Sequence, residues 1–512
     1  MDAIELTLFV KRINAICDEM GSILMRTAFS PNIKDRRDFS CAIFDANGQL
    51  CGQAAHIPVH LGSMAYAMSD IISTIHWQPG DMIILNDPYL GGTHLPDVTV
   101  IAPVFYNDTL CAFVTNRAHH ADIGASTPGS MPLSCTLQEE GLVIPPTHIM
   151  RTGEICTDKF SALLNKLHNP HLGRADFIAQ ISTNQAGLQR MLDLIRTMSV
   201  AYFTEALVKL NDYAELLALS VMDGLPAGKY EFTDFMDDDG QGFTDIPIKT
   251  TISINKRYIE VDFTGTAPQV KGNINCPLSV TAAAVYYCFY CLMPPETPAS
   301  AGAFRNIAIK APRGCLVNAS YPAAVTAGNV ETSSRIVDAI LGALANILPE
   351  KIPAASHGSM NNTAMGTADW DYYETLGGGM GGNQLNRGLD AIQTHMTNTL
   401  NTPVEILEKY YPLRINQYAV RKGSGGDGKH RGGHGLIRQF EFLDACHVTL
   451  LTERRKFCPW GLAGGGPGMS GINLLNNIPL PGKADFKVKA GDQLTILTAG
   501  GGSWGTPVNR EQ

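Results

Sequence analysis

The chain has 512 residues, too many for one small core and enough for two or three domains. Hydrophobic residues make up 45% and charged residues 17%, the composition of a large packed enzyme, which excludes a disordered or fibrous chain. A formal charge of -9, with no stripe rich in Lys or Arg, excludes broad electrostatic attraction to nucleic acid. Met1-Asp2-Ala3-Ile4-Glu5 has no basic stretch followed by an apolar one, so no export signal is expected. No run approaches the ~20 apolar residues of a membrane-spanning helix. Twelve cysteines in such a chain read as reduced thiols, and a cytoplasmic location is expected.

In chain order, residues 4–27 predict an amphipathic helix, because Phe9, Ile13, Ile16, Met20 and Ile23 recur on one face. Strands follow at Phe39–Phe44 and Leu50–Ala54 around an Asn47-Gly48 turn, then at Met82–Leu85, Val98–Val104 and Leu110–Thr115. Residues 173–223 predict two successive helices, ending at Ala227-Gly228. The period then becomes two, with a hairpin turning at Asn255-Lys256 between Thr250–Ile254 and Tyr258–Phe263. Helices are expected near Val280–Leu292 and Ser334–Leu348, and a strand at Gln493–Leu497. The chain has fifty glycines, many of them clustered at Gly377–Gly382, Gly423–Gly435, Gly461–Gly468 and Gly500–Gly505, and these are read as tight turns. The fold class is therefore α+β, with β-rich N- and C-terminal regions and a helical middle layer. The expected divisions are 1–172, 173–228, 229–375 and 376–512, the first carrying the chemistry.

Six of the fourteen histidines fall between positions 56 and 120: His56, His60, His76, His94, His119 and His120. In that window one small pattern occurs twice, as His94-Leu95-Pro96-Asp97 and His119-His120-Ala121-Asp122. Each places an imidazole and a carboxylate three residues apart beside a strand, where a bend lets both converge on a point. Neutral imidazole nitrogen and carboxylate oxygen suit Zn, Mn or Fe as divalent ions, and a site with three or four protein ligands keeps a position open for water. Upstream, Lys34-Asp35-Arg36-Arg37-Asp38 sits just before a strand. The bland alternative for any one pair is a surface His beside an Asp cap, and for His56 and His60 a pair packing a strand end.

Three other motifs are set aside. Gly423–Lys429 matches a phosphate-binding loop up to Lys429, but His430 replaces the Ser or Thr and no helix follows. Cys288-Phe-Tyr-Cys291 has no second pair and reads as buried thiols. Asp237-Asp238-Asp239-Gly240 lacks the spacing of a calcium loop and reads as a solvated turn. Without a nucleotide loop of its own, this chain needs a partner to use ATP.

Longer stretches carry a resemblance. They are residues 30–40 (SPNIKDRRDFS), 56–64 (HIPVHLGSM), 86–97 (NDPYLGGTHLPD), 118–124 (AHHADIG), 327–333 (AGNVETS), 397–405 (TNTLNTPVE), 425–433 (GGDGKHRGG) and 459–465 (PWGLAGG). Through these the sequence resembles the hydantoinase B/oxoprolinase family, which also takes in the α subunits of acetone and acetophenone carboxylases. The resemblance implies a metal-bearing subunit of a cyclic-amide hydrolase acting on a hydantoin, 5-oxoproline or lactam. It implies a hydantoinase A-type ATP-binding partner, which holds ATP and Mg and phosphorylates the amide oxygen. The alternative it leaves is the α subunit of an ATP-dependent ketone carboxylase, and a third reading is a scaffold with no chemistry of its own. Carried over position by position, His94, Asp97 and His119 are implied as metal ligands, with Asp38 as the acidic ligand from the first motif and Asp35 behind it. Asp122 is implied to orient His119 or act as a general base, with His120 and His60 able to stand in for either.

Overall fold

The computed structural model describes residues 1–54 and 57–507; His56 lies outside them. Asp2 caps helix α1 (Ala3–Thr27) through a capping box with Glu5, and Phe9, Ile13, Ile16 and Met20 form its buried stripe, as their spacing predicts. A short helix α2 (Pro31–Lys34) leads into β1 (Phe39–Asp45) and β2 (Leu50–Gln53). Next come α3 (Pro58–Ser73), β3 (Met82–Leu85), β4 (Asp97–Tyr106), β5 (Thr109–His119), β6 (Thr147–Arg151) and β7 (Glu154–Ile155). These strands form one seven-stranded sheet in the order β2-β1-β5-β4-β3-β6-β7.

Both faces of this sheet are covered, and strand alternation decides which residue faces where. Cys41, Ile43, Val100, Ala102 and Val114 pack with α1 and with helices α4 (Thr157–Leu164), α5 (Pro170–Arg196) and α6 (Val200–Met222). Ala42, Phe44, Ile101 and Phe113 face the other way, onto Met64, Ala67, Met68 and Ile71 of α3. The sequence reading missed α3, taking the segment around His60 for a strand end. Pro58 at its first turn, with its fixed φ, starts the helix instead.

A second sheet has the order β11-β10-β9-β8, from β8 (Gly228–Asp238), β9 (Thr244–Asn255), β10 (Tyr258–Asp262) and β11 (Ile307–Lys310). Helix α7 (Leu278–Tyr290) crosses α3 so closely that a Cβ on Gly62 would lie 2.4 Å from the Cα of Ala283. After a π-helical turn at Gly328–Thr332 comes α8 (Ser333–Ala345), buried along its whole length. Two further sheets complete the chain. One has the order β13-β12-β16-β19 and the other β14-β15-β20-β17-β18, with α9 (Val404–Tyr410) between β13 and β14 in the chain. Their strands are β12 (Asn362–Gly366), β13 (Asp371–Glu374), β14 (Leu413–Arg421), β15 (Gly435–Phe442), β16 (Cys446–Leu451), β17 (Ile472–Leu475), β18 (Ile478–Leu480), β19 (Lys483–Val488) and β20 (Gln493–Leu497). The mixture of helices and several sheets is α+β, as expected. Among the described residues no helix is long and apolar enough to cross a membrane.

Three local readings are corrected. The acidic run is not a solvated turn: Asp237 and Asp239 are buried, and Asp237 accepts backbone N–H bonds from Arg455, Lys456 and Phe457. Of the Cys-x-x-Cys pair, Cys288 is buried but Cys291 is exposed; all twelve cysteines are free thiols. The late glycines are mostly not turns. They let extended segments lie backbone against backbone: a Cβ on Gly381 would fall 1.7 Å from the carbonyl oxygen of Ala354, and one on Gly432 1.9 Å from that of Gly501. In the loop resembling a phosphate cradle, Gly426, Lys429 and His430 donate their N–H groups to Gly501, Gly505 and Trp504. Those donors are therefore already used.

A buried ion network ties α8 to the second sheet and to the C-terminal region. Arg335 lies 3.2 Å from Asp338 and 3.4 Å from Glu453, Arg454 lies 2.8 Å from Asp234, and Lys483 lies 2.6 Å from Glu453. Each charge has a partner, which is the condition for burying it.

Candidate metal centre

Asp97 opens β4 and His119 closes β5, and the two are directly paired across the ladder, so their side chains share a face. That face is the one covered by α3, which brings His60 down onto the pair. His94 arrives from the loop between β3 and β4. Asn86 holds that loop by donating to the carbonyls of Leu95 and Leu142. Asp87 caps the turn at Tyr89, and Gly92 sits so close to the oxygen of Asn86 (2.4 Å from a would-be Cβ) that no side chain fits.

The result is a tight triangle. His94 Nε2 lies 3.2 Å and His119 Nδ1 3.1 Å from Asp97 Oδ1, and the two nitrogens are 3.3 Å apart. The other oxygen, Oδ2, accepts from Thr93 Oγ1 at 2.6 Å and Asn329 Nδ2 at 3.3 Å and lies 3.1 Å from His60 Nε2. His60 Nδ1 in turn meets Ser40 Oγ at 3.3 Å. All three triangle residues are buried, as is His60.

Hydrogen-bond partners place the protons. His94 Nδ1 is 3.3 Å from the carbonyl oxygen of Thr326, which assigns the proton to that nitrogen and leaves Nε2 as a lone pair. His119 Nε2 is buried with no protein partner. Two imidazole nitrogens and a carboxylate oxygen converge on one point, held together either by a proton on His119 Nδ1 donated to Asp97 Oδ1 or by a cation between the three atoms. A divalent ion with bonds of about 2.1 Å sets neighbouring ligand atoms roughly 3.0–3.4 Å apart, and all three edges here fall in that interval. The residues therefore fit a metal ion of the kind that imidazole and carboxylate bind.

The electrostatics agree. Burial works against the charged form of His94, yet the charge and hydrogen bond of Asp97 raise it above its ordinary value. Burial lowers His119, favouring the neutral ring a metal requires. Burial also opposes the Asp97 carboxylate, but His94, His60 and His119 outweigh it and hold the group well below its usual range. A cavity of about 20 Å³ adjoins the triangle, lined by Asp38, His60, Asp97, His119, Asn329 and Tyr373 among others, enough for one water molecule.

Of the residues singled out from the sequence, His94, Asp97 and His119 come together. Asp38 lines the same cavity, 4.0 Å from His60 and 3.7 Å from Arg36. Asp35, at the end of α2, is half-buried and not among the lining residues, and His76 is exposed just past the end of α3. His120 and Asp122 do not join the cluster. His120 follows His119 and so points to the opposite face, where it stacks on Phe177 and meets Gln180 Oε1 at 3.0 Å. Asp122 does not orient His119. Its oxygens accept the backbone N–H groups of Gly124 and Asn169, and it faces His168 at 3.6 Å.

Sequence reasoning passed over three contributors. Asn329 reaches Asp97 from the π-helical turn, within the 327–333 stretch that helped carry the resemblance. Tyr373, from β13, stacks on His119 at 4.7 Å and 13° while its hydroxyl donates to Asn362, and nothing local in the sequence marks it. Glu140 accepts the N–H of Thr326, the residue whose carbonyl meets His94.

Fold and site together define a large α+β protein with a buried centre of two histidines and one aspartate. The chain belongs to the hydantoinase B/oxoprolinase family, whose model it matches over residues 2–507. It is 38% identical to a 5-oxoprolinase of Dictyostelium discoideum over 99% of its own length, and spans 40% of that longer protein. It is 31% identical over its whole length to a putative D-/L-hydantoinase subunit of a Pseudomonas species, of which it covers 91%. Among solved structures, the ATP-dependent caprolactamase of Pseudomonas jessenii superposes with a TM-score of 0.90 at 25% identity, over 99% of this chain and 91% of the other. An acetone carboxylase shares the fold with a TM-score of 0.88 at 18% identity, over 100% of this chain and 76% of the other.

Proposed function

We propose that this chain is the metal-bearing part of an ATP-dependent cyclic-amide hydrolase that opens a hydantoin, 5-oxoproline or lactam ring. The observation that carries the reading is the His94–Asp97–His119 triangle, whose spacing and donor set suit a divalent transition metal (Zn, Mn or Fe). The names of the relatives support the substrate class: a 5-oxoprolinase, a putative hydantoinase subunit and a caprolactamase.

An amide is a poor electrophile, and a small ring of this kind gains little from strain. ATP, with Mg, belongs to a hydantoinase A-type partner in this scheme. Phosphorylation of the amide oxygen there makes the ring carbon more electrophilic, so that water adds and the C–N bond breaks with its nitrogen protonated. The acyl phosphate that remains is hydrolysed to carboxylate and phosphate. When bound, the metal supplies Lewis acidity and lowers the pKa of coordinated water. The chain's own residues do the rest. Thr93, Asn329 and His60 fix Asp97 Oδ2 so that Oδ1 faces the two imidazoles. The Thr326 carbonyl fixes the tautomer of His94. Tyr373 clamps the His119 ring, and the buried walls keep bulk water out. His60, which lines the cavity between Asp38 and Asp97, is placed to hold or pass a proton at Nε2.

The test is reconstitution of this chain with an ATP-binding partner of the hydantoinase A type. Ring opening of a cyclic amide coupled to ATP hydrolysis, without bicarbonate, is the expected result. Turnover that requires bicarbonate and a ketone establishes the carboxylase alternative instead.

A further inference from the structure

Tyr373 lies flat on His119, with ring centroids 4.7 Å apart and planes 13° from parallel, so whatever fixes Tyr373 also fixes the plane of that imidazole. His119 has Nδ1 engaged with Asp97 and His94 and Nε2 unpaired, so its own hydrogen bonds hold one side of the ring only. Tyr373 is held at three points. Its carbonyl accepts from Arg36 Nη1 at 2.8 Å, the Arg36 guanidinium stands 4.8 Å from its ring centroid, and its hydroxyl donates to Asn362 Oδ1 at 2.7 Å. The Asn362 amide can face only one way. Its Nδ2 points at two acceptors, the Leu451 carbonyl at 2.8 Å and Glu331 Oε1 at 2.7 Å, so Oδ1 must face the tyrosine hydroxyl.

Glu331 stands at the far end of this path and is buried. Its Oε1 also accepts the N–H of Met360 at 2.9 Å, and Met360 and Tyr373 both line the small cavity. Glu331 belongs to the π-helical turn Gly328–Thr332, whose Asn329 donates to Asp97 Oδ2. One turn therefore reaches the centre by two routes, directly at the carboxylate and through Asn362 and Tyr373 at an imidazole. Single π-helical turns are frequent at functional sites. This one is braced from behind: Gly328 donates its N–H to the Asn273 carbonyl, and a Cβ on Gly328 would fall 1.8 Å from the carbonyl oxygen of Asn275. Burial, with Glu453 adding to it, pushes Glu331 up to about 7. Near neutral pH both protonation forms are therefore present. Both keep Oε1 as an acceptor, because the acid proton belongs on Oε2, which has no protein partner.

Building on the metal reading above, we propose that Glu331 is a positioning residue of the centre: through Asn362 and the Tyr373 hydroxyl it sets the plane of the His119 ring. The test is the Co(II) affinity of the full chain, measured by chelator competition, together with crystal structures of the metal-free proteins. Glu331→Ala and Tyr373→Phe are each expected to weaken Co(II) binding by about tenfold and to tilt the two rings away from the 13° of the wild type. The double variant is expected to bind no more weakly than either single one, because both changes cut the same path, whereas independent losses multiply. Glu331→Gln, which keeps the Oε1 acceptor, is expected to stay within about twofold of the wild type. Wild-type affinity and ring geometry in Glu331→Ala overturn the proposal. So do multiplying losses in the double variant, or a Glu331→Gln protein as weak as Glu331→Ala. Should Glu331→Ala fail to fold, Asn362→Ser cuts the same path one link on, and wild-type behaviour there overturns it equally. A wild type that binds no Co(II) sinks the metal reading, while the ring angles in the metal-free structures still decide this one.

Discussion

Asp97 and His119 are cross-strand partners at one end of the β4–β5 ladder, and that pairing decides which carboxylate meets which imidazole. The sequence offers two His-x-x-Asp units that look equivalent. The ladder breaks the equivalence by placing His119 opposite the aspartate of the first unit, while Asp122 is carried past the strand end to anchor a loop. The His94–Asp97–His119 cluster is therefore assembled from one complete unit and half of the other.

The first prediction follows from that asymmetry. Asp122→Asn should keep the metal, because its oxygens accept backbone N–H bonds from Gly124 and Asn169 and do not reach the triangle. The expected cost is stability, about 1–3 kcal/mol by chemical denaturation, since the amide nitrogen replaces one acceptor.

Glu140 acts on the centre from behind. Its Oε1 accepts from Ser134 and from the N–H groups of Val325 and Thr326, and the Thr326 carbonyl meets His94. Glu140→Ala should release that strap and weaken metal affinity by roughly 10–100-fold, the usual scale for such supporting partners. Competition with a chelator measures it, and affinity equal to wild type contradicts the role.

His357 is fully buried with both ring nitrogens unpaired, and burial pushes it down to about 3. A histidine lowered in the folded state contributes stability that is present above its unfolded pKa and is lost as pH falls. Between about pH 6.5 and pH 3 the unfolded chain binds the extra proton. At about pH 5 the loss from this residue is about 2 kcal/mol. Thermal melts of His357→Gln against wild type should show a flatter acid limb in the variant.

The ion network and the glycine segments should respond differently from the site. Arg335→Met leaves Asp338 and Glu453 short of a partner in the core and should cost about 3–5 kcal/mol. Gly381→Ala forces a methyl into the carbonyl of Ala354, and the variant should fail to fold. Gly314→Ala, where nothing lies within 4 Å but φ is +81°, should cost only about 1 kcal/mol.

Much of the fold was legible because periodicity reports burial directly. The stripe of α1, the hairpin at Asn255-Lys256 and the helices α7 and α8 fall within a few residues of their predicted places. Helix α3 was not, although Met64, Ala67, Met68 and Ile71 have helical spacing, because Pro58 between two histidines reads as a strand end. Its loss obscured His60, which reaches Asp97 only from a helix laid across the sheet. The glycine segments were misread for another reason. A turn and a close backbone contact demand the same residue, and only the neighbouring carbonyl distinguishes them. Tyr373 is brought to His119 by a sheet more than two hundred residues later, a contact no local pattern encodes.

The most direct test of the central claim is elemental analysis of the purified chain, with His94→Ala, Asp97→Asn and His120→Ala beside the wild type. About one equivalent of Zn, Mn or Fe is predicted in the wild type and in His120→Ala, whose ring is engaged with Gln180 and Phe177, and none in the other two. A metal-free wild type that supports full activity with its partner, or His94→Ala and Asp97→Asn proteins that keep the metal, would contradict the account.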